Sequence, residues 1–467
     1  MKILFVGYFD YVEKPGLIYL AGYLKSKGFV CDYLDVRFER NLIKKVIEIN
    51  PQIIAFSITT PWHQYFLKIN RKIKEHFSCF SIFGGPHCTF SPEFVNEASV
   101  DAICIGEGEE ALAELACKLE NKMDITSIKN LWIKADNAVY KNEIRPMHQS
   151  TDEISIPDRD IFNKYRHYKN MRRRYLLTTR GCPYNCTYCY NESYRNLYKN
   201  KGYKIHQRSV ENVIGELIEI KNKFKPKTIK FYDDIFILNK EWLKEFAVEY
   251  REKINLPFLA HVRLNLVTED VVRILKQAGC HEVEFGIESG NHEYRKLILN
   301  REMTNEEIIQ KSNLFRKYEI KTLAYNILGL PDETIEQSYE TLRLNIDAKV
   351  NYSFAGIFQP FPKTKLFEYA VEKGYFSGNV KDIPESIIYS GSVLKMKNIK
   401  QIKRLQFLFS IIVSFPVLYP FSKLLIKLPL TKLYMLIMFL HRAWNYIFKL
   451  RQFYWKEVFI TEKKFKN

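Results

Sequence analysis

The stretch "TTRGCPYNCTYCYN", residues 178–191, sets Cys182, Cys186 and Cys189 in a C-x3-C-x2-C run. Three thiols fall within a few residues of one another, with no obvious fourth. Gly181, Pro183 and Asn185 mark the run as a loop, not a core segment. Structural zinc takes four N or S ligands, so a zinc reading needs a partner from elsewhere, such as Cys280 or a histidine. A 4Fe-4S cluster held by three thiolates instead leaves one iron without a protein ligand. An open metal position is what a site needs if it is to bind a substrate or cosubstrate.

Such a loop has to be carried by a scaffold, and the pattern around it supplies one. "RRYLLTT", "TIKFYDD", "PFLAHVRL", "EVEFGIES", "TLAYNILGL" and "YSFAGIFQPFP" read as six strands, most separated by helical segments. A partial (β/α)6 barrel follows, with active residues expected at strand C-terminal ends. The Cys loop, Asp233 and Asp234, Glu288 and Ser289, and Gly329 all fall at such ends. Ahead of it, "KILFVG", "FVCDYLDV", "QIIAFSI", "FSIFGG" and "DAICIG" alternate with helical stretches, among them "SPEFVNEA". That is βαβ repetition, hence a Rossmann-like α/β domain with a parallel sheet. "NLWIKADNAVYKNEIRP" alternates around an Asp-Asn turn and predicts a hairpin. The expected organisation is 1–125 for the first domain, 126–172 for hairpin and linker, 173–385 for the barrel and 386–467 for a helical C-terminal region.

At 467 residues the chain is too long for one ordinary domain. "MKILFVGYF" reads as a strand and not as a signal peptide, so a cytoplasmic, reducing setting is expected, in which clustered Cys are metal ligands more than disulfides. The net charge is +18, yet residues 401–467 carry twelve Lys and Arg against only Glu457 and Glu462. Ten of the eighteen charges therefore sit in the tail, which argues for a local contact surface and against a nucleic-acid-coating protein. "LQFLFSIIVSFPVLYPFS" (405–422) has no charge but is interrupted by Pro416 and Pro420. It is borderline against the ~20 residues a membrane span needs. The tail is expected to cap the barrel with helices, and its Lys, Arg and aromatic content also fits peripheral contact with the inner face of a membrane.

At the Cys loop the sequence resembles the radical S-adenosylmethionine (SAM) superfamily: Cys182-x3-Cys186-x-Tyr188-Cys189, with an aromatic before the last Cys, after the first barrel strand. The resemblance implies that the three Cys hold a 4Fe-4S cluster whose unique iron chelates SAM. An electron from the cluster then cleaves the sulfonium to a 5′-deoxyadenosyl radical. "FYDD" resembles the motif that meets the SAM amino group, which nominates Asp233 or Asp234. "FGIESG" resembles the segment reaching the ribose, which nominates Glu288 and Ser289. "NILGLPDET" resembles the glycine motif against the adenine, around Gly329 and Pro331. "QPFPKTKLF" resembles a segment usually written with P-G-T, but Lys363 stands where the Gly is expected.

"SITT", "FGGPHCT" and "IGEGEEAL" resemble the cobalamin-binding domain fused ahead of many radical SAM enzymes. The resemblance implies Ser57, Thr59, Gly84, Gly85, His87, Gly106 and Gly108 as cobalamin contacts. The loop "GYFDYVEKPG" lacks the histidine that ligates cobalt from below in many cobalamin carriers; His63 and His87 are the nearby alternatives.

Together these resemblances imply a cobalamin-dependent radical SAM enzyme that methylates an unactivated carbon of a small hydrophobic or lipid-like substrate. Such an enzyme draws its electron from an external flavodoxin- or ferredoxin-like donor. Alternatives are a ring-forming or rearranging radical SAM enzyme, a methylthiotransferase-like enzyme, and a non-enzymatic iron–sulfur or cobalamin carrier or sensor. The sequence singles out no residue that would quench or direct a substrate radical.

Overall fold

The computed structural model describes residues 1–8, 12–154, 157–384 and 386–445. Chain contacts divide it into two units: Met1–Met171 with Tyr190–Ser209, and Arg172–Cys189 with the chain from Val210 onward.

In the first unit, β1 (Lys2–Gly7), β2 (Val30–Asp35), β3 (Ile53–Ser57), β4 (Phe80–Gly84) and β5 (Ala102–Cys104) are all parallel. The continuous apolar runs of β1 and β3 follow from burial on both faces; Ile3 and Leu4 are fully buried, as are Ile53 and Ile54. The order is β2-β1-β3-β4-β5. The direction of winding therefore reverses at β1 and β3, which opens a ligand crevice beyond the C-terminal ends of those strands. "SPEFVNEA" (91–98) is not an α-helix: it holds only a 3-10 turn, Pro92–Asn96, preceded by a one-turn helix, Pro86–Phe90. Each starts on a proline, and neither has the length to propagate.

The hairpin expected in a linker belongs to this sheet. Its strands β6 (Leu131–Ala135) and β7 (Ala138–Lys141) extend it antiparallel, with Ile103 opposite Trp132. Leu131 and Ile133 are fully buried, and Asn130 Nδ2 donates to Ile105 O at 2.8 Å, so the added strands cover what would be an open edge. Residues 190–209 also pack here, through the buried Tyr198.

The second unit is a six-stranded parallel sheet in strictly sequential order: β8 (Arg173–Leu176), β9 (Thr228–Phe231), β10 (Phe258–His261), β11 (Cys280–Glu288), β12 (Lys321–Leu328) and β13 (Tyr352–Ile357). It is the partial barrel expected from the pattern. Crossover helices include Glu269–Ala278, capped by Thr268, and Asn305–Lys317 and Ile335–Asp347, each started by a capping box.

After the barrel, the helix Ile399–Ser414 lies against β13. It buries Ile402, Leu405, Phe409 and Ile412, and Gln406 Nε2 donates to Ala355 O at 3.1 Å and Ile387 O at 3.2 Å. Half of the uncharged 405–422 stretch is thus core packing on a sheet edge, ended at Pro416. Among the described residues no helix is long and apolar enough to cross a membrane.

Candidate active site

Cys182 and Cys186 are buried, Cys189 is half-buried, and all three are free thiols. Their loop is clamped from two sides. Thr187 Oγ1 donates to Ile298 O at 2.6 Å, Asn300 Nδ2 to Asn185 O at 2.9 Å, and Leu366 N–H to Thr187 O at 2.9 Å. The strand side is fixed by Asp233, fully buried one turn beyond β9. Its Oδ1 accepts from Thr178 N–H at 2.9 Å, Thr178 Oγ1 at 2.8 Å and Thr179 N–H at 2.5 Å. Burial pushes the Asp233 carboxyl up to about 6 despite those bonds. Asp234, by contrast, is exposed.

Two arginines that motif reasoning missed stand over the thiols. Arg263 Nη1 lies 3.2 Å from Cys186 Sγ, and its guanidinium is 3.7 Å from the centre of the Tyr184 ring. Arg301 Nη1 lies 3.9 Å from the same sulfur, donates to Tyr188 Oη at 3.0 Å, and sends Nη2 to Gly286 O at 2.7 Å. Tyr188 Oη in turn donates to Glu288 Oε1 at 3.0 Å. Burial pushes both the Glu288 carboxyl and the Tyr188 phenol up, with Arg301 pulling each back. Glu288 reaches this place because the register of β11 shifts after Gly286 and Glu288 itself adopts φ 67°. A Cβ on Gly286 would stand 1.9 Å from Glu288 Oε1, so the glycine makes room for the folded-back carboxylate.

The barrel face nearby is polar and aromatic. Glu284 on β11 accepts from Lys230 Nζ at 2.7 and 2.8 Å, and also from Tyr325 Oη; His261 Nε2 is 3.0 Å away. Burial opposes ionisation of Glu284, but Lys230 and His261 outweigh it and hold the carboxyl low. Rings run across the strands from Tyr175 to Tyr232 (5.9 Å between centres), His261 (5.5 Å), Tyr325 (6.4 Å) and Phe354 (5.8 Å). The signal for this face was the alternation of "EVEFGIE", whose Val283, Phe285 and Ile287 point into the core.

The donor set can be tested against the implied cofactors. Among the described residues no group of three His, Cys, Asp or Glu side chains is arranged to hold a metal ion. Thiolates around a four-iron cube stand farther apart than ligands around one ion, so three spaced Cys fit a cluster. Two buried guanidiniums beside Cys186 offer positive charge to an anionic cluster. Asp233 Oδ2 and Ser289 Oγ are buried with no hydrogen-bond partner, two polar atoms available to a cosubstrate. Gly329, at φ 72°, faces Ile399 and Ile402 of the C-terminal helix, and its N–H and that of Leu330 are taken by Glu333. Lys363 adopts φ 62°, the conformation glycine would favour, so the backbone of the departed motif is kept.

In the first unit, Ser57, the last residue of β3, and Thr59, just beyond it, are exposed beside the switch point. Gly85, at φ 90°, sits where a Cβ would be 2.8 Å from Ile58 O; Gly84 and Gly108 flank Cys104. Two nominated contacts are engaged otherwise. His87 is buried, its ring stacked on His63 at 4.3 Å and its Nδ1 3.3 Å from Thr60 Oγ1; burial and His63 push it down to about 3. The space beside Gly106 is filled by Tyr198, whose Oη would be 2.2 Å from a Cβ there and accepts from Glu107 N–H at 2.9 Å. Positions 9–11 of the "GYFDYVEKPG" loop lie outside the described residues.

Comparison with known proteins agrees with this arrangement. The Radical SAM superfamily profile matches residues 176–344, and the B12 binding domain profile matches residues 1–116. An uncharacterized methyltransferase of Pyrococcus horikoshii is 32% identical over 368 residues, covering 76% of this chain and 78% of that protein. The chain belongs to the B12-binding radical SAM enzymes. Its cofactors are a 4Fe-4S cluster, SAM and cobalamin. An anaerobic magnesium-protoporphyrin IX monomethyl ester cyclase of Cereibacter sphaeroides is 26% identical, covering 75% of this chain but only 59% of the cyclase. The fold is shared with the radical SAM methyltransferase TsrM of Kitasatospora setae: TM-score 0.66 at 18% identity, over 80% of this enzyme and 76% of TsrM.

Proposed function

We propose that this enzyme transfers a methyl group to an unactivated carbon of a small, hydrophobic substrate. The observation that carries the substrate class is the run of rings from Tyr175 to Phe354 across the barrel sheet, a surface suited to flat or apolar molecules. The methyltransferase relative from Pyrococcus horikoshii supports the reaction class. When bound, the cluster supplies the electron that cleaves SAM, and cobalamin supplies the methyl group.

The chain's own residues bind and orient. Cys182, Cys186 and Cys189 hold the cluster. Arg263 and Arg301 balance its charge. Tyr188, Glu288 and Ser289 border the SAM site, to which Asp233 offers Oδ2; Asp234 is the exposed carboxylate next to it, and Gly329, packed on Ile399 and Ile402, supports the segment that ends the fifth barrel strand. Ser57, Thr59, Gly84, Gly85 and Gly108 receive cobalamin in the β1/β3 crevice, with His87 and Gly106 supporting the fold of that edge. The electron comes from a flavodoxin- or ferredoxin-like protein, and the 401–467 region places the enzyme at the inner face of a membrane.

Ring formation is the second reading, favoured by the cyclase relative. Anaerobic reconstitution with iron, sulfide, cobalamin and reductant, followed by SAM with an isotopically labelled methyl group, separates the two. Label in the product of a candidate substrate marks transfer; an unlabelled, cyclised product marks ring formation. No 5′-deoxyadenosine from a fully loaded enzyme would overturn both.

A further inference from the structure

The helix Thr431–Trp444 carries two apolar stripes. One, with Tyr434 and Met438 a turn apart, is buried. The other presents Leu433 (47% exposed), Leu436 (51%), Ile437 (37%), Leu440 (53%) and Trp444 (55%), spaced three and four residues apart along one stripe. A helix at a protein surface normally turns polar residues to water, and one that turns a second apolar stripe outward has a further surface to bury. The preceding turns continue the pattern. The Phe415 ring, itself 53% exposed, lies 6.3 Å from His441, and Tyr434 Oη donates to Leu425 O at 2.8 Å. Eleven of the twenty-two large apolar side chains left exposed among the described residues fall between 415 and 444. Scattered exposed apolar residues are ordinary; this concentration is the mark of a contact surface.

Charge selects the partner. Residues 415–444 contain Lys423, Lys427, Lys432 and Arg442 and no Asp or Glu, and no carboxylate side chain occurs anywhere from 386 to 456. Lys423, Lys427 and Lys432 are exposed. A protein partner would have to match a wide apolar stripe and also supply every counter-charge. An anionic bilayer does both at once, acyl chains for the stripe and headgroups for the lysines.

We propose that the surface formed by 415–444, centred on the Leu433–Trp444 stripe, inserts into the headgroup and upper acyl region of an anionic lipid bilayer. The inference narrows the membrane contact of 401–467 to these residues. It excludes Ile399–Ser414, whose apolar side chains are consumed by the barrel, and it stands independently of the reaction the enzyme performs.

The test is flotation of the full-length enzyme with vesicles of phosphatidylcholine alone and of phosphatidylcholine with phosphatidylglycerol. The wild type is expected to float with the anionic vesicles and to be released as salt is raised. Leu436→Ser/Leu440→Ser and Lys423→Gln/Lys427→Gln should each weaken that binding about tenfold. Because these side chains are solvent-exposed, the thermal midpoint of either variant should match the wild type, which separates lost docking from lost folding. Three results would overturn the proposal. The wild type could stay unbound to both vesicles. It could bind both equally, with no salt dependence. Or the serine variant could convert a dimer to a monomer while leaving flotation unchanged, which would assign the stripe to a second copy of the chain. Failure here leaves 5′-deoxyadenosine formation untouched, so the two readings fail separately.

Discussion

Asp233→Ala is expected to unseat the cluster loop. In the folded enzyme Asp233 Oδ1 is the acceptor for two buried backbone N–H groups, of Thr178 and Thr179, and for the Thr178 hydroxyl. Orphaning two such amides costs about 1–3 kcal/mol each. Against this, the carboxyl is pushed up from 3.8 to about 6, so its ionised form carries a burial penalty of about 3 kcal/mol above that pH, which the alanine relieves. The two effects nearly cancel in global stability, while the local one does not: the turn leading into Cys182 loses its anchor. Iron per chain after anaerobic reconstitution should therefore fall below half of the wild-type value in Asp233→Ala. Asp233→Asn keeps an acceptor oxygen and should retain iron. The pH dependence adds a second readout. A carboxyl raised in the folded state contributes stability that is full below its unfolded pKa and is lost as pH rises through the folded one. Going from about pH 8 to about pH 5, the wild type should gain roughly 1 kcal/mol over Asp233→Asn in urea unfolding. Wild-type iron loading in Asp233→Ala, with only SAM affinity reduced, would refute this reasoning and make Asp233 a cosubstrate ligand alone.

Gln406→Leu removes a donor to the buried Ala355 O and to the half-buried Ile387 O, which keeps the Ile357 N–H, and should lower stability by about 1–3 kcal/mol in chemical denaturation. Gly290→Ala places a Cβ 2.3 Å from the Glu340 carbonyl carbon, a backbone contact that cannot swing away; a loss of about 3 kcal/mol or more in the thermally measured stability is expected, against a gain of about 0.5–1 kcal/mol for Gly215→Ala, which lies within the helix Val210–Phe224 and meets nothing within 4 Å. His87 is held down to about 3 by burial and by His63, so its folded form binds fewer protons than the unfolded chain. Its stabilising effect is complete above the ordinary histidine range and is lost as pH falls from about 6.5 toward 3. Acid unfolding followed by circular dichroism should accordingly be less steep in His87→Gln.

Much of the architecture was legible because burial imposes simple patterns. Strands such as "KILFVG" and "EVEFGIE" carry the apolar run or alternation their surroundings require, and the order of motifs behind the Cys loop follows the sequential barrel. Three features were hidden because they depend on contacts distant in sequence. Arg263 and Arg301 meet Cys186 from 77 and 115 residues away, and neither belongs to a compact motif. Tyr198 fills the space beside Gly106 from 92 residues away, so a glycine expected to face a cofactor faces a tyrosine instead. The 405–422 run looked like one apolar stretch, yet only its first part has a sheet edge to cover.

The most direct test of the open iron position is electron paramagnetic resonance of the anaerobically reconstituted, reduced enzyme with and without SAM. A reduced four-iron signal whose g-values shift when SAM is added is the predicted result. No four-iron signal from the reduced enzyme, or a cluster signal unmoved by saturating SAM, would contradict it.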